Sequence, residues 1–416
     1  MLAKLKNLLE KDGLAGTARK LAVFARDELA ARLVRPGREL DALLAEIAAG
    51  EHARVVLRRG SFGYHTPLFQ RAQQLSLALA KKDCLVLYEA AAPHDRVNGA
   101  ERIAERLWLV NFRSPRVRRR IERAVERGGR PRYVLFASPE CRLRPALLRR
   151  YAGQGYHLIY DYIDALSGEI SGTGRVPGRC RALYRMAMRG DKTLVLASSL
   201  ALLRQARGQK RFADALLVEN GVDCAHFAAV GPCPEDAAFR ALLRAGRPIV
   251  CYYGALARWL DYDALRAIAR DGRFSLLLIG VKYDGSFDRA MAGCENVCFL
   301  GPKPYAELKD YAARCDVLLV PFKGGEVGDA ASPVKLFEYL ALGKPVVAGN
   351  TAECRRCRSA LIAQSSADYI RCLEQALALS QSRIYRLRAL EEARHADWLC
   401  RAETVCRALS AREQNQ

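Results

Sequence analysis

The sequence predicts an α/β protein made of two doubly wound parallel-sheet domains. Three observations predict it. The chain has 416 residues, which overfills one compact core and suits two domains of ordinary size. From residue 54 onward, short apolar runs alternate with helical patterns, the texture of a parallel sheet covered on both faces. Residues 315–349 read as strand, glycine loop, short helix and strand, the repeating unit of such sheets.

The elements follow in order. Residues 1 to about 45 read as helical, with Leu2, Leu5, Leu8 and Leu9 on one side, lysines opposite and a break at Gly13. This extension either lies on anionic lipid or packs on the first domain. Val55-Val56-Leu57 is the first strand. A loop over 59–69 follows, carrying Gly60, Gly63, His65 and Pro67, and then a helix over 70–81. Further strands are predicted at 85–88, 133–137, 158–160, 193–197 and 215–218, with helices in the gaps. Asn220-Gly221 is a turn signal, and 224–247 reads as a linker with one short helix.

The second domain opens at Pro248. Strands are predicted at 249–253, 276–279, 297–300 and 316–321, and a helix at 305–314. The key helix starts after the 323–331 loop, with Ser332 as N-cap and Pro333 at the first helical position. Gly343 caps its C-terminus, Lys344-Pro345 forbid continuation, and 346–348 resumes as strand. A strand near 361–363, a helix over 368–379 and a helical stretch over 383–409 complete the chain. The predicted division is an extension at 1–50, domains at 51–232 and 245–380, and a closing helix at 383–416.

Composition narrows the function. Half the residues are hydrophobic, but no apolar run reaches membrane-spanning length. MLAKLKNLLEKDG lacks the unbroken apolar core of a secretory signal. Fourteen scattered cysteines point to a reducing compartment. The net charge of +22 is concentrated in Arg113, Arg116, Arg118, Arg119, Arg120, Arg123, Arg127 and Arg130. No zinc-finger, RNP-like or helix-turn-helix pattern accompanies it, so an anionic membrane surface or phosphorylated ligand is favoured over specific nucleic acid. Cys354-Arg355-Arg356-Cys357 is a single C-x-x-C without a second pair, too little for a tetrahedral metal site.

The chemistry is concentrated in 332–338. A helix that starts beyond a strand end offers free N–H groups and a positive dipole end to an anion. Lys335 adds a positive charge in the first turn. Glu338, three residues on, can accept hydrogen bonds from sugar hydroxyls. Without a ligand, the two residues read as an ordinary surface ion pair.

SPVKLFEYLALGKPVVA resembles the donor-site signature of GT-B fold glycosyltransferases of the group 1, family-four-like type. The resemblance covers roughly residues 54–409 and is specific at 332–348. It implies two Rossmann-like domains facing a cleft, a nucleotide-diphosphate sugar donor on the second and a glycan or lipid-linked acceptor on the first. It implies that Glu338 holds the ribose, and that Ser332, Pro333, Val334 and Lys335 receive the diphosphate. Gly254 would let backbone approach the phosphates, with Arg258 and Lys282 as nearby cations. Many members carry a second glutamate eight residues before the first. Ala330 stands there in this chain, with Glu326 and Asp329 out of register.

In the first half, RGSFGYHTPLFQRAQQLSLALA resembles the acceptor-side opening of the family, with His65 as a possible base. Tyr160-Asp161-Tyr162-Ile163-Asp164 resembles another cleft motif. There Asp161 or Asp164 is either a base or the cap of a following helix. The closing helix is expected to cross back to the first domain. With Lys335, Arg258 and the helix N–H groups to stabilise the leaving diphosphate, neither a metal nor any other cofactor is expected. The resemblance and the basic charge together imply a cytoplasmic enzyme, peripheral on the inner face of the plasma membrane, in bacterial surface polysaccharide biosynthesis. Two alternatives stay open: a nucleotide-sugar 2-epimerase of the same fold, and a non-catalytic nucleotide-sugar or polyanion-binding protein, which Ala330 keeps in play.

Overall fold

The computed structural model describes residues 18–414 except 20–21, 24, 35–36, 67, 92–94, 140–141, 168–175, 191–192, 211–213, 326–327 and 330–331. The expectations for the first seventeen residues, Pro67, Glu326 and Ala330 lie outside the described residues. The chain divides into two compact units. Unit 1 holds Met1–Ser198, Leu202–Val218 and Ala402–Gln416, and unit 2 holds Ser199–Ala201 and Glu219–Arg401. The chain passes from unit 1 to unit 2 at Val218/Glu219, so Asn220-Gly221 belongs to the second unit.

Unit 1 is built on an eight-stranded sheet: β1 Arg54–Arg58, β2 Cys84–Glu89, β3 Ala100–Ala104, β4 Leu107–Val110, β5 Arg132–Ala137, β6 His157–Tyr162, β7 Thr193–Ala197 and β8 Ala215–Leu217. Their order is β3-β4-β2-β1-β5-β6-β7-β8. All neighbouring pairs are parallel except β3 with β4. That hairpin was not predicted, because Glu101, Arg102, Glu105 and Arg106 break its apolar pattern. In the fold Arg102 lies over the Trp108 ring at 5.6 Å, and the indole N–H donates to Glu46 at 3.0 Å. An edge strand tolerates such charge because one of its faces meets water.

The steps β4→β5, β5→β6, β6→β7 and β7→β8 all run the same way across the sheet. Right-handed crossovers therefore put the helices Pro115–Arg127, Pro145–Gly153, Gly178–Arg189 and Leu200–Arg207 on one face. An Arg150–Glu122 pair at 2.8 Å joins the first two. The step β1→β2 runs the other way, so Arg71–Ala80 covers the opposite face. The end of the last helix, Trp398–Gln414, is fastened to unit 1 through Glu413, which accepts from Arg54 at 2.6 and 2.8 Å and from the Tyr133 hydroxyl at 2.5 Å.

Unit 2 has six strands, all parallel: β9 Ile249–Tyr253, β10 Ser275–Ile279, β11 Val297–Phe299, β12 Val317–Val320, β13 Val346–Gly349 and β14 Ala360–Ala363. Their order is β11-β10-β9-β12-β13-β14. Strands β9, β10, β12 and β13 are buried throughout, as their unbroken Val/Leu/Ile runs require for a sheet covered on both faces. The stretch predicted as a linker carries two helices, Cys224–Ala228 and Ala237–Arg244. The helical stretch predicted over 383–409 is two helices, Arg383–His395 and Trp398–Gln414, broken at Ala396-Asp397. The break has a partner: Val222 pairs with Asp397 as an isolated bridge, and the Trp398 N–H donates to the Val222 carbonyl at 3.0 Å.

Candidate functional site

In unit 2 the strand order reverses between β9 and β12. From β9 the chain steps to β10 and β11 on one side, and from β12 to β13 and β14 on the other. Open α/β sheets bind ligands beyond the carboxyl ends of the strands at such a reversal. The loops leaving β9 and β12 are tied together there: Asp261 N–H donates to the Pro321 carbonyl at 2.7 Å and Lys323 N–H to the Trp259 carbonyl at 2.9 Å.

The helix that follows β12 runs Val334–Ala341. Ser332 does not cap it, contrary to the sequence reading. Pro333 holds the cap position, one residue before the first helical turn, and its carbonyl accepts the Leu336 N–H at 3.1 Å. The Ser332 hydroxyl instead accepts the Asn220 N–H at 3.2 Å, and the Ser332 carbonyl accepts the Asn220 side-chain amide at 2.6 Å. Leu336, Tyr339 and Leu340 anchor the helix in the core. Each contributes on the order of 1.5–3 kcal/mol by leaving water. The Tyr339 hydroxyl accepts the Tyr253 N–H at 3.1 Å, fixing the end of β9 against the helix. The first-turn N–H groups of Val334 and Lys335 have no carbonyl one turn back within the helix and remain donors for an anion.

Glu338 and Lys335 are not a surface pair. The Glu338 side chain is 0 % exposed, and its Oε2 receives the Lys335 ammonium at 2.9 Å. The same ammonium lies 4.8 Å from the centre of the Tyr253 ring, so it is held in place and is not a mobile charge. The other carboxylate oxygen, Oε1, is buried and has no hydrogen-bond partner among the described residues; neither has the Tyr253 hydroxyl. Burial first, then the tyrosine's neighbour Glu338, pushes the Tyr253 phenol well above its ordinary range and keeps it a neutral donor. A buried carboxylate oxygen without a donor is costly in isolation. The Tyr253 phenol stands close enough to the Glu338 carboxylate to interact with it, so this donor and acceptor form one polar group which, with the cation and the helix N–H groups, matches a polyhydroxyl ring joined to a diphosphate.

The other three donor-side residues are engaged within their own unit. Gly254 and Gly280 end β9 and β10 at φ +153° and +145°, and a Cβ on Gly280 would sit 1.8 Å from the Gly254 carbonyl oxygen. Gly280 thus makes room for Gly254, while a Cβ on Gly254 would meet the Tyr252 hydroxyl at 2.6 Å. Arg258 stands beside Asp284, which accepts its N–H at 3.2 Å and faces its guanidinium at 4.0 Å. Lys282 donates to Asp288 at 2.5 Å and lies 4.9 Å from the Phe287 and Phe299 rings. Neither cation is a free charge waiting for phosphate.

In unit 1 the strand order reverses between β1 and β5. The loop after β1 carries His65. Asp95, which the sequence reading passed over, organises that loop: its buried carboxylate accepts the N–H groups of Tyr64 and His65 at 2.9 Å and of Ala91 at 2.8 Å. The His65 imidazole is half exposed, 4.0 Å from Glu101.

Asp161, at the end of β6, caps no helix. Its carboxylate is fully buried, receives Arg71 at 2.8 Å and faces Arg58 at 3.8 Å. Arg71 is the first residue of the helix on the opposite face, so this ion pair ties helix to sheet. Asp164 caps no helix either. Ser138 brackets its backbone, the hydroxyl taking the Asp164 N–H at 3.1 Å and giving to its carbonyl at 3.1 Å. Burial raises the Asp164 carboxyl to about 6, with Arg71 opposing and Asp161 reinforcing.

The Cys354/Cys357 pair lies around a short 3₁₀ turn. Among the described residues no group of three or more His, Cys, Asp or Glu side chains could hold a metal ion. Burial pushes the Cys354 thiol up to about 11. Burial and Glu392, which accepts from the Cys357 sulfur at 3.2 Å, push the Cys357 thiol up to about 12.

Asn220, which bonds Ser332, and Tyr253, whose ring lies against the Lys335 ammonium, were passed over in the sequence. Asn220 was visible as half of a turn signal, and Tyr253 as the residue before a strand-ending glycine. Neither signal says what the side chain touches.

Comparisons with known proteins bear on the fold and on unit 2. The family described as glycosyl transferases group 1 matches residues 247–378, which hold the whole unit 2 sheet. TuaH of Bacillus subtilis (strain 168), assigned as a teichuronic acid biosynthesis glycosyltransferase, is 27 % identical over 262 residues. That match covers 58 % of this chain and 64 % of TuaH, under two thirds of the relative. Sucrose-phosphate synthase from Thermosynechococcus elongatus shares the fold with a TM-score of 0.63 at 16 % identity, over 88 % of this chain and all of its own. Anabaena HepE in complex with UDP and glucose does so with a TM-score of 0.58 at 16 % identity, over 86 % of this chain and 100 % of its own. The two parallel-sheet α/β units thus share the fold of these solved structures, and residues 247–378, which include the helix at the strand reversal of unit 2, are similar to the group 1 glycosyl transferases.

Proposed function

We propose that the protein moves a sugar from a nucleotide-diphosphate donor held by unit 2 to a glycan or lipid-linked acceptor held by unit 1, in the building of a bacterial surface polysaccharide. The observation that carries the reading is the unpartnered, fully buried Glu338 oxygen beside Lys335 at the start of Val334–Ala341. The name of TuaH supports a polysaccharide product, and the HepE complex supports a uridine nucleotide and a glucosyl donor.

In this reading an acceptor hydroxyl oxygen bonds to the anomeric carbon of the donor. The carbon–oxygen bond to the diphosphate breaks, and the nucleoside diphosphate leaves with the electron pair. Lys335 and the helix N–H groups stabilise the charge that develops on it, the work a metal does elsewhere, so we assign no metal to the step. The hydroxyl proton passes to a base on unit 1. Asp164, with its carboxyl near 6, is the base we assign, and His65 lines the acceptor side. Asp161 is committed to Arg71.

The helix face of unit 1 exposes Arg116, Arg119, Arg123 and Arg127 on one helix and Arg179, Arg181, Arg185 and Arg189 on another. We read it as the face that meets an anionic membrane at its cytoplasmic side. Among the described residues no helix is long and apolar enough to cross a membrane.

The test is a thermal-shift screen of UDP, GDP, ADP, CDP and dTDP and their sugars, followed by turnover with and without glycan acceptors. One diphosphate is expected to stabilise the protein, and its sugar to be consumed to a transferred product only with acceptor present. Turnover to an epimer without acceptor, or no stabilisation by any nucleotide, overturns the reading.

A further inference from the structure

We infer that Asn220 is a positioning residue for the donor site, holding the backbone that leads into the phosphate-facing helix. The inference rests on the donor reading above.

Asn220 reaches Ser332 through two independent bonds: its main-chain N–H donates to the Ser332 hydroxyl at 3.2 Å and its side-chain amide to the Ser332 carbonyl at 2.6 Å. Both residues are buried. Ser332 precedes Pro333, whose missing N–H and fixed φ leave this entry segment few bonds of its own. Asn220 itself is anchored from the other side. Its carbonyl accepts Arg401 Nε at 3.3 Å, Val222 N–H donates to the Ala396 carbonyl at 3.0 Å, and Glu219 pairs with Arg356 and, at 3.5 Å, with Arg401. Gly221 is packed so closely on that segment that a Cβ would lie 2.4 Å from the Ala396 carbonyl oxygen.

The turn is therefore a fixed post, and through Ser332 it grips the approach to Val334. An asparagine suits the place because it is a neutral donor. An aspartate of the same shape would set a carboxylate against the Ser332 carbonyl and add negative charge near bound phosphate. A turn without a side-chain donor here would keep the main-chain bond to the Ser332 hydroxyl but lose the bond to its carbonyl.

The experiment uses the full chain and whichever of UDP, GDP, ADP, CDP and dTDP the wild type binds most tightly, measured by calorimetry with melting temperature in parallel. Asn220→Ala is expected to weaken that diphosphate about tenfold, the scale of one lost buried hydrogen bond. Asn220→Asp is expected to weaken it further, and Ser332→Ala less. In turnover, donor KM rises while acceptor KM stays within about twofold. Should Asn220→Ala fail to fold, the near-isosteric Asn220→Asp and the small change Ser332→Ala carry the test. Unchanged diphosphate affinity in folded Asn220→Asp overturns the inference while leaving the donor reading intact, provided Glu338→Ala still abolishes binding. An equal loss of donor and acceptor affinity overturns it too, because it marks a general structural role. If no diphosphate binds the wild type, both the reading and the inference fall.

Discussion

Lys335 and Glu338 form a 2.9 Å ion pair within one helical turn, and the carboxylate that receives the ammonium is completely buried with its second oxygen free. The pair leaves this acceptor empty, at the carboxyl edge of a parallel sheet where its strand order reverses. The first prediction follows. Glu338→Ala strands the Lys335 ammonium, with a stability loss on the order of 3 kcal/mol by chemical denaturation. Glu338→Gln keeps a partner for the ammonium and loses less. Both lose nucleoside diphosphate affinity by at least about tenfold. Retained affinity in folded Glu338→Gln would show that the free oxygen serves nothing.

The buried Arg71–Asp161 pair makes the second prediction. Arg71→Ala leaves a fully buried carboxylate without its main partner and is expected to cost on the order of 3–5 kcal/mol in denaturant unfolding. The double change Arg71→Met with Asp161→Leu removes both charges and is expected to recover most of that loss. No recovery would mean that the pair does more than tie helix to sheet.

Asp164 gives a pH prediction whose sign is fixed. Its folded carboxyl is raised from the ordinary value near 3.8 to about 6, so between those values the folded state holds a proton that the unfolded state has lost. Stability therefore falls as pH rises through that window, and the full penalty stands above it, on the order of 3 kcal/mol at most. Asp164→Asn is expected to be more stable than wild type at pH 7.5 and to match it near pH 4. The same variant should lose turnover and the acidic limb of the rate profile, which in wild type rises with pH through about 6. Equal melting temperatures for the two proteins at both pH values would contradict the burial argument. A wild-type acidic limb surviving in Asp164→Asn would move the base to His65.

The arginine-bearing helix face predicts salt-sensitive binding to vesicles. Wild-type protein is expected to sediment with vesicles containing anionic lipid and to leave them as salt rises above physiological strength. Reversing Arg119, Arg123 and Arg127 to glutamate should abolish sedimentation without changing the melting temperature by more than a few degrees. Equal binding to neutral vesicles would refute an electrostatic contact.

Much of this architecture was legible because it is local. Apolar runs bounded by glycine gave nearly every strand of both sheets, and 332–348 announced its helix, its closing glycine and its returning strand. What escaped was non-local. Ser332 looked like a cap because serine before proline and an apolar run is a capping pattern. It is not one, because Asn220, 112 residues earlier, takes its hydroxyl. Asp161 read as a base or a cap, and its ion pair with Arg71, 90 residues away in sequence, was not legible. The β3–β4 hairpin hid behind charges that stack on Trp108 or meet water. Glu338 read as exposed because a glutamate three residues from a lysine usually is, and only the packed helix shows it buried.

The most direct test is a crystal structure with the diphosphate that stabilises the protein most. We expect its ribose hydroxyls within hydrogen-bond distance of Glu338 Oε1 and its terminal phosphate on the N–H groups of Val334 and Lys335. A nucleotide bound elsewhere, with that oxygen and those amides untouched, would contradict the assignment of the site.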